Sequence, residues 1–207
     1  MMKQARLLRT GLLLSGILTL LFLVPAHAET PQEYYVKANE AFDKADIVSA
    51  MAFYRKAAEA GYVPAQTRLA YLLDQSEENE EAAVWYKRAI ENGDAEAEFG
   101  LAGMYVSGDG IPENAEEALR LFTSSANKNH IPAIHVMVAA YEKGEMGLRI
   151  DYEAARAWLE KSVQLDDPWS IERLSRAYRN GELGLRIDRQ KAAQLEQRLA
   201  RLKKESQ

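Results

Sequence analysis

Cysteine is absent from the 207-residue sequence, which excludes disulfides and thiolate metal sites. Histidine occurs only three times, at His27, His130 and His135. Isolated imidazoles without thiolate neighbours make a poor metal site, so we expect no bound metal and no cofactor. The motifs GxSxG, HExxH and GKS/T do not occur, and no two carboxylates stand out as a catalytic pair. We therefore expect no enzymatic activity and no catalytic residue.

The chain has no excess of basic residues: 26 lysines and arginines face 31 aspartates and glutamates, which gives a formal net charge of -5. This balance argues against nucleic acid as the main partner. The acidic run between Glu77 and Glu81 lacks the ligand order of a calcium loop, and such runs are usually solvated. The hydrophobic fraction of 47% is sufficient for a buried core, in one domain or in a small repeat array.

The apolar run from Gly11 to Val24 is shorter than the roughly 20 residues that a membrane-spanning helix needs. Basic residues precede it, and Ala26 and Ala28 follow it with the spacing of an A-x-A cleavage site. This order predicts a secretory signal peptide over residues 1–28, with an uncleaved anchor as the alternative. After cleavage near Ala28 we expect no stable membrane span, and a periplasmic or secreted protein.

A repeat with a period of 32 to 37 residues runs through the rest of the chain. Four segments align, beginning at Gly61, Gly93, Asn129 and Asp166, and each continues with small and apolar residues at helical spacing. A second helical pattern follows each one, with a shared alanine and then large residues. The shared alanines are Ala50, Ala82, Ala118, Ala155 and Ala192, and the large residues include Phe53, Tyr54, Trp85, Tyr86, Leu121, Phe122, Trp158 and Leu159.

The small residues of this repeat allow two helices to approach closely, and the large ones fill the space between units. Repetition at such a period predicts an all-α solenoid, a right-handed α/α superhelix of about five antiparallel helix hairpins. We place the solenoid at residues 29–207, with units at about 31–60, 61–92, 93–128, 129–165 and 166–204. The last unit lacks the aromatic pair and has Leu195 and Glu196 instead, which favours a capping helix at the end of the array.

The octets GEMGLRID at 144–151 and GELGLRID at 181–188 are nearly identical and lie between the two helices of a unit. Gly144 and Gly181 are predicted to end a helix in the left-handed conformation, and Asp151 and Asp188 to cap the next helix. Their apolar residues, Leu148, Leu185, Ile150 and Ile187, are predicted to insert between hairpins. A phosphate-binding loop is the alternative, but no strand pattern precedes either octet. The octets are therefore interpreted as structural joints.

The stretch LAGMYVSGDGIPENAEEALRLFTSSANKN resembles a Sel-one-like repeat (SLR), whose pattern is LGxxYxxGxGVxxDxxKAxxWYxKAAxxG. The matching positions are Leu101, Tyr105, Gly108, Gly110, Ile111 and Ala118. The resemblance covers about residues 61–202, while the unit before it is more similar to a tetratricopeptide repeat. It implies a scaffold that binds proteins, of the kind that exported bacterial members provide to envelope assemblies or in host interaction. Cysteine-rich members carry a disulfide in each repeat, so their proposed activities are not implied here.

In such superhelices the first helix of each unit lines the concave face. Counting from the matched tyrosine, we predict nine partner-binding residues: Thr67, Tyr71, Phe99, Val106, His135, Glu142, Glu172, Arg176 and Arg179. A groove with exposed aromatic residues and with arginines at one end suits a peptide with an acidic end. The alternative is that Phe99 packs into its neighbour and that the arginines only keep the end soluble.

Charge is distributed unevenly, because residues 74–98 hold nine acidic and two basic side chains, and the C-terminal helix is basic. The basic helix could dock an acidic partner, but a polar cap on the last repeat is the favoured interpretation. Two functions stay open. The first is a non-enzymatic scaffold that binds an envelope protein or peptide. The second is a modulator or enzyme of an envelope polymer, such as peptidoglycan or exopolysaccharide.

Overall fold

The computed structural model describes residues 29–205, which form ten α-helices and no strand. The predicted signal peptide over residues 1–28 lies outside the described residues. The helices are α1 Pro31–Asp43, α2 Ile47–Glu59, α3 Val63–Gln75, α4 Asn79–Glu91, α5 Ala95–Ser107, α6 Ala115–Asn127, α7 Ile131–Lys143, α8 Tyr152–Gln164, α9 Pro168–Asn180 and α10 Arg189–Glu205.

The helices contact one another most extensively within the consecutive pairs α1–α2, α3–α4, α5–α6, α7–α8 and α9–α10. The next largest contacts join each pair to the following one, through α2–α3, α4–α5, α6–α7 and α8–α9. Short turns make the two helices of a pair antiparallel. A chain whose helices pack mainly on their sequence neighbours is a solenoid, so the predicted all-α repeat fold is confirmed.

The core of the array follows the repeated alanines. Ala50, Ala82, Ala118 and Ala155 are fully buried, and Ala192 is 2% exposed. The large residues that follow each alanine are buried or half-buried beside it, among them Tyr54, Trp85, Phe122 and Leu159. The small residues bring the helices together and the large ones fill the space between them, which is the packing that the sequence predicts.

The two octets are joints, as predicted. Gly144 ends α7 with φ 75°, and Gly181 ends α9 with φ 72°. The Asp151 carboxylate accepts hydrogen bonds from the Glu153 and Ala154 amides at 2.9 and 3.0 Å. Asp188 accepts from the Lys191 amide at 3.0 Å in the same way. Glycine adopts the left-handed conformation at these two helix ends without steric cost, and the carboxylate satisfies amides that a helix start leaves free.

A backbone hydrogen bond recurs at this joint. The amides of Asn114, Asp151 and Asp188 donate to the carbonyls of Tyr105, Tyr141 and Tyr178 at 2.9, 2.9 and 2.8 Å. Each bond returns the chain to the end of the preceding helix, before the next helix begins. The recurring tyrosine therefore marks the position where the joint closes, and the joint's length can vary around this bond.

One detail of the predicted joint is wrong. Ile150 and Ile187 are 58% and 62% exposed, and they are not inserted between hairpins. Their Cγ1 atoms lie 3.4 and 3.3 Å from the place where a side chain on Gly144 or Gly181 would begin. Each isoleucine thus covers the outside of a glycine at a helix end. Leu148 and Leu185 are half-buried as predicted, and the third residue of each octet also packs inward, since Leu183 is 6% exposed and Met146 is half-buried.

Candidate binding face

The first helices of the second and third units form a cleft, here called the α3–α5 cleft, with a volume of about 340 Å³. Its lining residues are Thr67, Tyr71 and Asp74 of α3, Tyr86 of α4, Glu96, Phe99, Gly100 and Gly103 of α5, and His130 and Pro132 at the start of α7. Three of the nine predicted binding residues, Thr67, Tyr71 and Phe99, are therefore brought together.

Aromatic side chains form the walls of this cleft. Tyr71 is 44% exposed. Phe99 is half-buried and packs edge-to-face on Phe122 at 5.5 Å between ring centroids, and against His130 at 5.0 Å. Thr67 is only 2% exposed, and its hydroxyl donates to the Val63 carbonyl at 3.4 Å. Tyr71 and Phe99 thus offer contact surface, whereas Thr67 offers little.

Two glycines of α5 open the cleft on the side of the third unit. A Cβ atom on Gly100 would lie 2.4 Å from Cζ of Tyr86, so the Tyr86 ring occupies the space beside this glycine. A Cβ atom on Gly103 would meet nothing within 4 Å. Burial raises the pKa of Tyr86, and the carboxylates of Asp74 and Glu96 add to this effect. The Tyr86 hydroxyl is therefore neutral and can donate a hydrogen bond at any physiological pH.

The charge of the α3–α5 cleft is negative. Burial raises the pKa of Asp74, and Asp109 raises it further. Within residues 29–205, Asp74 has no basic side chain within 4 Å. Glu96 faces Arg68 at 3.8 Å, and both side chains are about half exposed, so this pair neutralises little. Burial lowers the pKa of His130, which favours the neutral imidazole.

A second cleft, the α9–α10 cleft, lies at the C-terminal end and has a volume of about 280 Å³. It brings together three further predicted residues, Glu172, Arg176 and Arg179. Arg176 approaches Glu182 at 3.7 Å, and Arg179 forms an ion pair with Glu196. The predicted arginine end is thus partly neutralised by carboxylates of its own chain.

The last three predicted residues, Val106, His135 and Glu142, lie apart from both clefts. Val106 is 47% exposed near the end of α5. Glu142 approaches Arg173 at 3.1 Å, and Arg173 also binds Glu182 at 2.7 Å while its side chain is only 11% exposed. Glu142 therefore belongs to a network that fixes the last octet. Partner binding at all nine residues stays a prediction.

His135 takes part in a set of side chains that superficially resembles a nucleophile triad. Its Nε2 lies 2.8 Å from Oδ2 of Asp167 and 3.5 Å from the hydroxyl of Ser170. A triad needs the carboxylate and the hydroxyl on different ring nitrogens, and here both approach the same one. The imidazole also packs against Trp169, with ring centroids 4.2 Å apart and the rings tilted by 43°. His135 joins the fourth and fifth units, and the geometry supplies no activated nucleophile.

Sequence reasoning missed five lining residues of the α3–α5 cleft that matter to its chemistry: Asp74, Tyr86, Glu96, Gly100 and Gly103. The two glycines inside an otherwise helical pattern were an available signal, because interior glycine weakens a helix and commonly has a packing reason. Among residues 29–205, no three histidine or acidic side chains cluster in a way that could hold a metal ion. In the same part of the chain, no helix has the length and apolarity to cross a membrane.

The family model for the Sel1 repeat matches five segments, residues 42–62, 63–94, 95–130, 136–167 and 170–203. The first match covers residues 42–60 of the unit that resembles a tetratricopeptide repeat. Over 128 residues the chain is 34% identical to chitin synthase regulatory factor 3 of Schizosaccharomyces pombe, a match that covers 58% of this chain and 14% of that protein. The chain spans 14–28% of the length of the curated relatives that it matches.

Two solved structures are similar to this fold. One is c5321, a protective antigen present in uropathogenic Escherichia coli strains that displays an SLR fold. It has a TM-score of 0.69 and 28% identity, over 82% of this chain and 38% of that chain. The other is a Sel1 repeat protein from Oxalobacter formigenes, with a TM-score of 0.72 and 24% identity, over 83% of this chain and 73% of that chain. The second likeness concerns the fold alone.

Proposed function

Because the chain belongs to the Sel1 repeat family, we propose that it is a non-enzymatic scaffold of the bacterial cell envelope. In this role it recognises a partner protein or peptide along the face formed by the first helices of its units. Sel1 repeat proteins are typically protein-interaction scaffolds. The envelope location is supported by the signal-peptide pattern of residues 1–28.

The observation that carries this proposal is the α3–α5 cleft. Exposed Tyr71 and half-buried Phe99 line this cleft, Tyr86 closes its floor, and Gly103 leaves open space beside them. Peptide-binding grooves use such pre-formed aromatic contacts to recognise side chains of an extended or helical segment. A pre-formed groove also loses little conformational entropy when a partner binds.

The test is capture of the partner in cells after crosslinking, with the tagged protein expressed from its full-length sequence. Tyr71→Ala removes the exposed wall of the cleft, and we expect it to reduce capture of a specific protein at least fivefold. The matched control is Tyr152→Ala, because Tyr152 is 45% exposed but lies on α8, outside both clefts. A specific protein captured equally by both variants would show that the cleft is not the binding surface.

The envelope location needs its own measurement. Cell fractionation and N-terminal mass spectrometry of the expressed protein should find it outside the cytoplasm, with a mature chain that begins after Ala28. A cytoplasmic protein with an intact N-terminus would refute the location and leave the scaffold role to be judged by the capture experiment alone.

A further inference from the structure

We propose that the α3–α5 cleft binds a lysine or arginine side chain of the partner segment, so that the partner docks through a basic residue. This inference rests on the proposed scaffold function and names the chemistry of its ligand. It differs from the expectation drawn from the sequence, in which arginines near the C-terminal end select an acidic peptide.

The first argument is charge complementarity. The segment from Asp74 to Glu98 holds nine acidic and two basic residues, and two of its carboxylates, on Asp74 and Glu96, line the cleft. Asp74 has no cationic neighbour within 4 Å in residues 29–205, and Glu96 has only the distant contact with Arg68. A partner cation would therefore meet negative charge that the chain itself leaves uncompensated.

The second argument is the aromatic lining. A guanidinium or ammonium group is attracted to the face of an aromatic ring, most strongly where water is partly excluded. Tyr71 and Phe99 line the same cleft, and Tyr86 closes its floor with a hydroxyl that remains neutral. Carboxylates beside aromatic rings bind a cationic head by charge and its aliphatic stem by apolar contact.

The third argument is shape. The volume of about 340 Å³ lies near the small end of the range of roughly 300–1,000 Å³ that is usual for ligand sites. Gly103 leaves open space where any other residue would project a side chain. The cleft therefore admits one long side chain of a partner, and the remainder of the segment lies along α3 and α5.

The α9–α10 cleft is the less suitable docking point for a charged partner. Its exposed arginines, Arg176 and Arg179, already face Glu182 and Glu196. An acidic ligand would have to displace these carboxylates, whereas a basic ligand in the α3–α5 cleft displaces at most Arg68 from Glu96.

The direct test uses four synthetic peptides, acetyl-Gly-Ser-Gly-X-Gly-Ser-Gly-amide, in which X is arginine, lysine, citrulline or glutamate. Amide chemical shifts of the full-length protein are recorded by NMR during each titration. We expect the arginine and lysine peptides to shift the resonances of Tyr71, Phe99 and Gly103, with at least fivefold tighter binding than citrulline. Added salt should weaken this binding, because the attraction is electrostatic. Equal binding of arginine and citrulline, or preferential binding of glutamate, would overturn the proposal.

A matched pair of variants isolates the charge. The double variant Asp74→Asn/Glu96→Gln removes both cleft carboxylates and should weaken the arginine peptide at least fivefold. The control Glu153→Gln/Glu160→Gln removes two exposed carboxylates from α8, so the net charge of the two proteins is the same. An equal effect in both would show that only overall charge matters, and would overturn the specific site.

An aromatic photo-crosslinking amino acid in place of Tyr71, which keeps a ring at the edge of the cleft, or in place of Arg179 separates this proposal from the scaffold role. A partner crosslinked from position 71 through a peptide that contains lysine or arginine supports both. A partner crosslinked only from Arg179, together with no arginine-peptide binding, overturns the cation site and leaves the scaffold intact. If no partner is crosslinked from either position but the arginine peptide still binds in the cleft, the cation site is supported and the scaffold role is refuted.

Discussion

A methyl group added at Gly100 and one added at Gly103 should have opposite effects on stability, although the two glycines lie on the same helix and line the same cleft. Alanine is the better helix former, and each change is expected to contribute about 0.5–1 kcal/mol of stability from backbone propensity. At Gly103 nothing lies within 4 Å of the new methyl group, so this gain is unopposed.

At Gly100 the new methyl group would lie 2.4 Å from Cζ of Tyr86 and 2.7 Å from its hydroxyl oxygen. Ordinary contacts are about 3.5–4.0 Å, so the ring must move by about 1 Å, and it is only 3% exposed. Overpacking of this kind typically costs about 1–3 kcal/mol. The net effect of Gly100→Ala is therefore a loss of about 0.5–2 kcal/mol. Since the propensity gain cancels, the two variants should differ by about 1–3 kcal/mol.

The assay is thermal unfolding followed by circular dichroism, with urea unfolding as an independent measure. For a chain of this size, 1 kcal/mol corresponds to roughly 2–4 °C in Tm. Gly103→Ala should raise Tm by about 1–4 °C, and Gly100→Ala should lower it by about 1–8 °C. Equal shifts in the two variants would refute the placement of Tyr86 beside Gly100, and with it the assigned floor of the α3–α5 cleft.

Three further predictions concern the joints and the ion pairs. Asp151→Ala should lower the free energy of unfolding, measured in urea, by about 0.5–2 kcal/mol. Asp151→Asn should retain most of this stability, because the side-chain oxygen of asparagine caps α8 as that of aspartate does. Arg173→Ala should lower Tm more than Arg176→Ala, since the Arg173 side chain is 11% exposed and the Arg176 side chain 57%; equal losses would contradict a buried network. The hydrogen bond from Arg55 lowers the pKa of Glu81, so this carboxylate stabilises the fold above its unfolded pKa of about 4.3, and the stability is lost as pH falls through the lower folded value. Glu81→Gln should therefore lower the urea midpoint more at pH 7 than at pH 3.

The helices and joints could be predicted from the sequence because they depend on neighbours in the chain. Glycine takes the left-handed conformation at a helix end without steric cost, as at Gly144 and Gly181, although Asn129 and Asp166 also adopt positive φ after a helix. An aspartate just before a helix commonly caps its first amides, as Asp151 and Asp188 do. The repeated alanines were equally predictable, since close helix approach repeats with the unit. The placement of Ile150 and Ile187 failed because periodicity does not show that an extended segment passes outside the preceding glycine.

The binding face was only partly predictable, for a different physical reason. Counting from the recurring tyrosine found Tyr71 and Phe99, because both lie on first helices and repeat with the period. It missed Tyr86, which reaches the cleft from a second helix, and Asp74, whose environment depends on the following unit. A cleft between units is built from residues about 30 positions apart, and their relation depends on packing that sequence spacing does not encode.

The distribution of internal ion pairs decides which end of the array is open to a charged ligand. At the C-terminal end the Arg173 side chain is 11% exposed and its charge is paired with Glu142 and Glu182. Arg176 and Arg179 are more than half exposed, but each also faces a carboxylate of the same chain. At the α3–α5 cleft the carboxylate of Asp74 is partly buried and has no counterion within residues 29–205, which is unfavourable in the free protein. A basic side chain that binds there relieves this cost, and mass action then links binding to stability. The net charge at each end of the repeat array is therefore a poor guide to the ligand that binds there. The better guide is the charge that no side chain of the same protein neutralises.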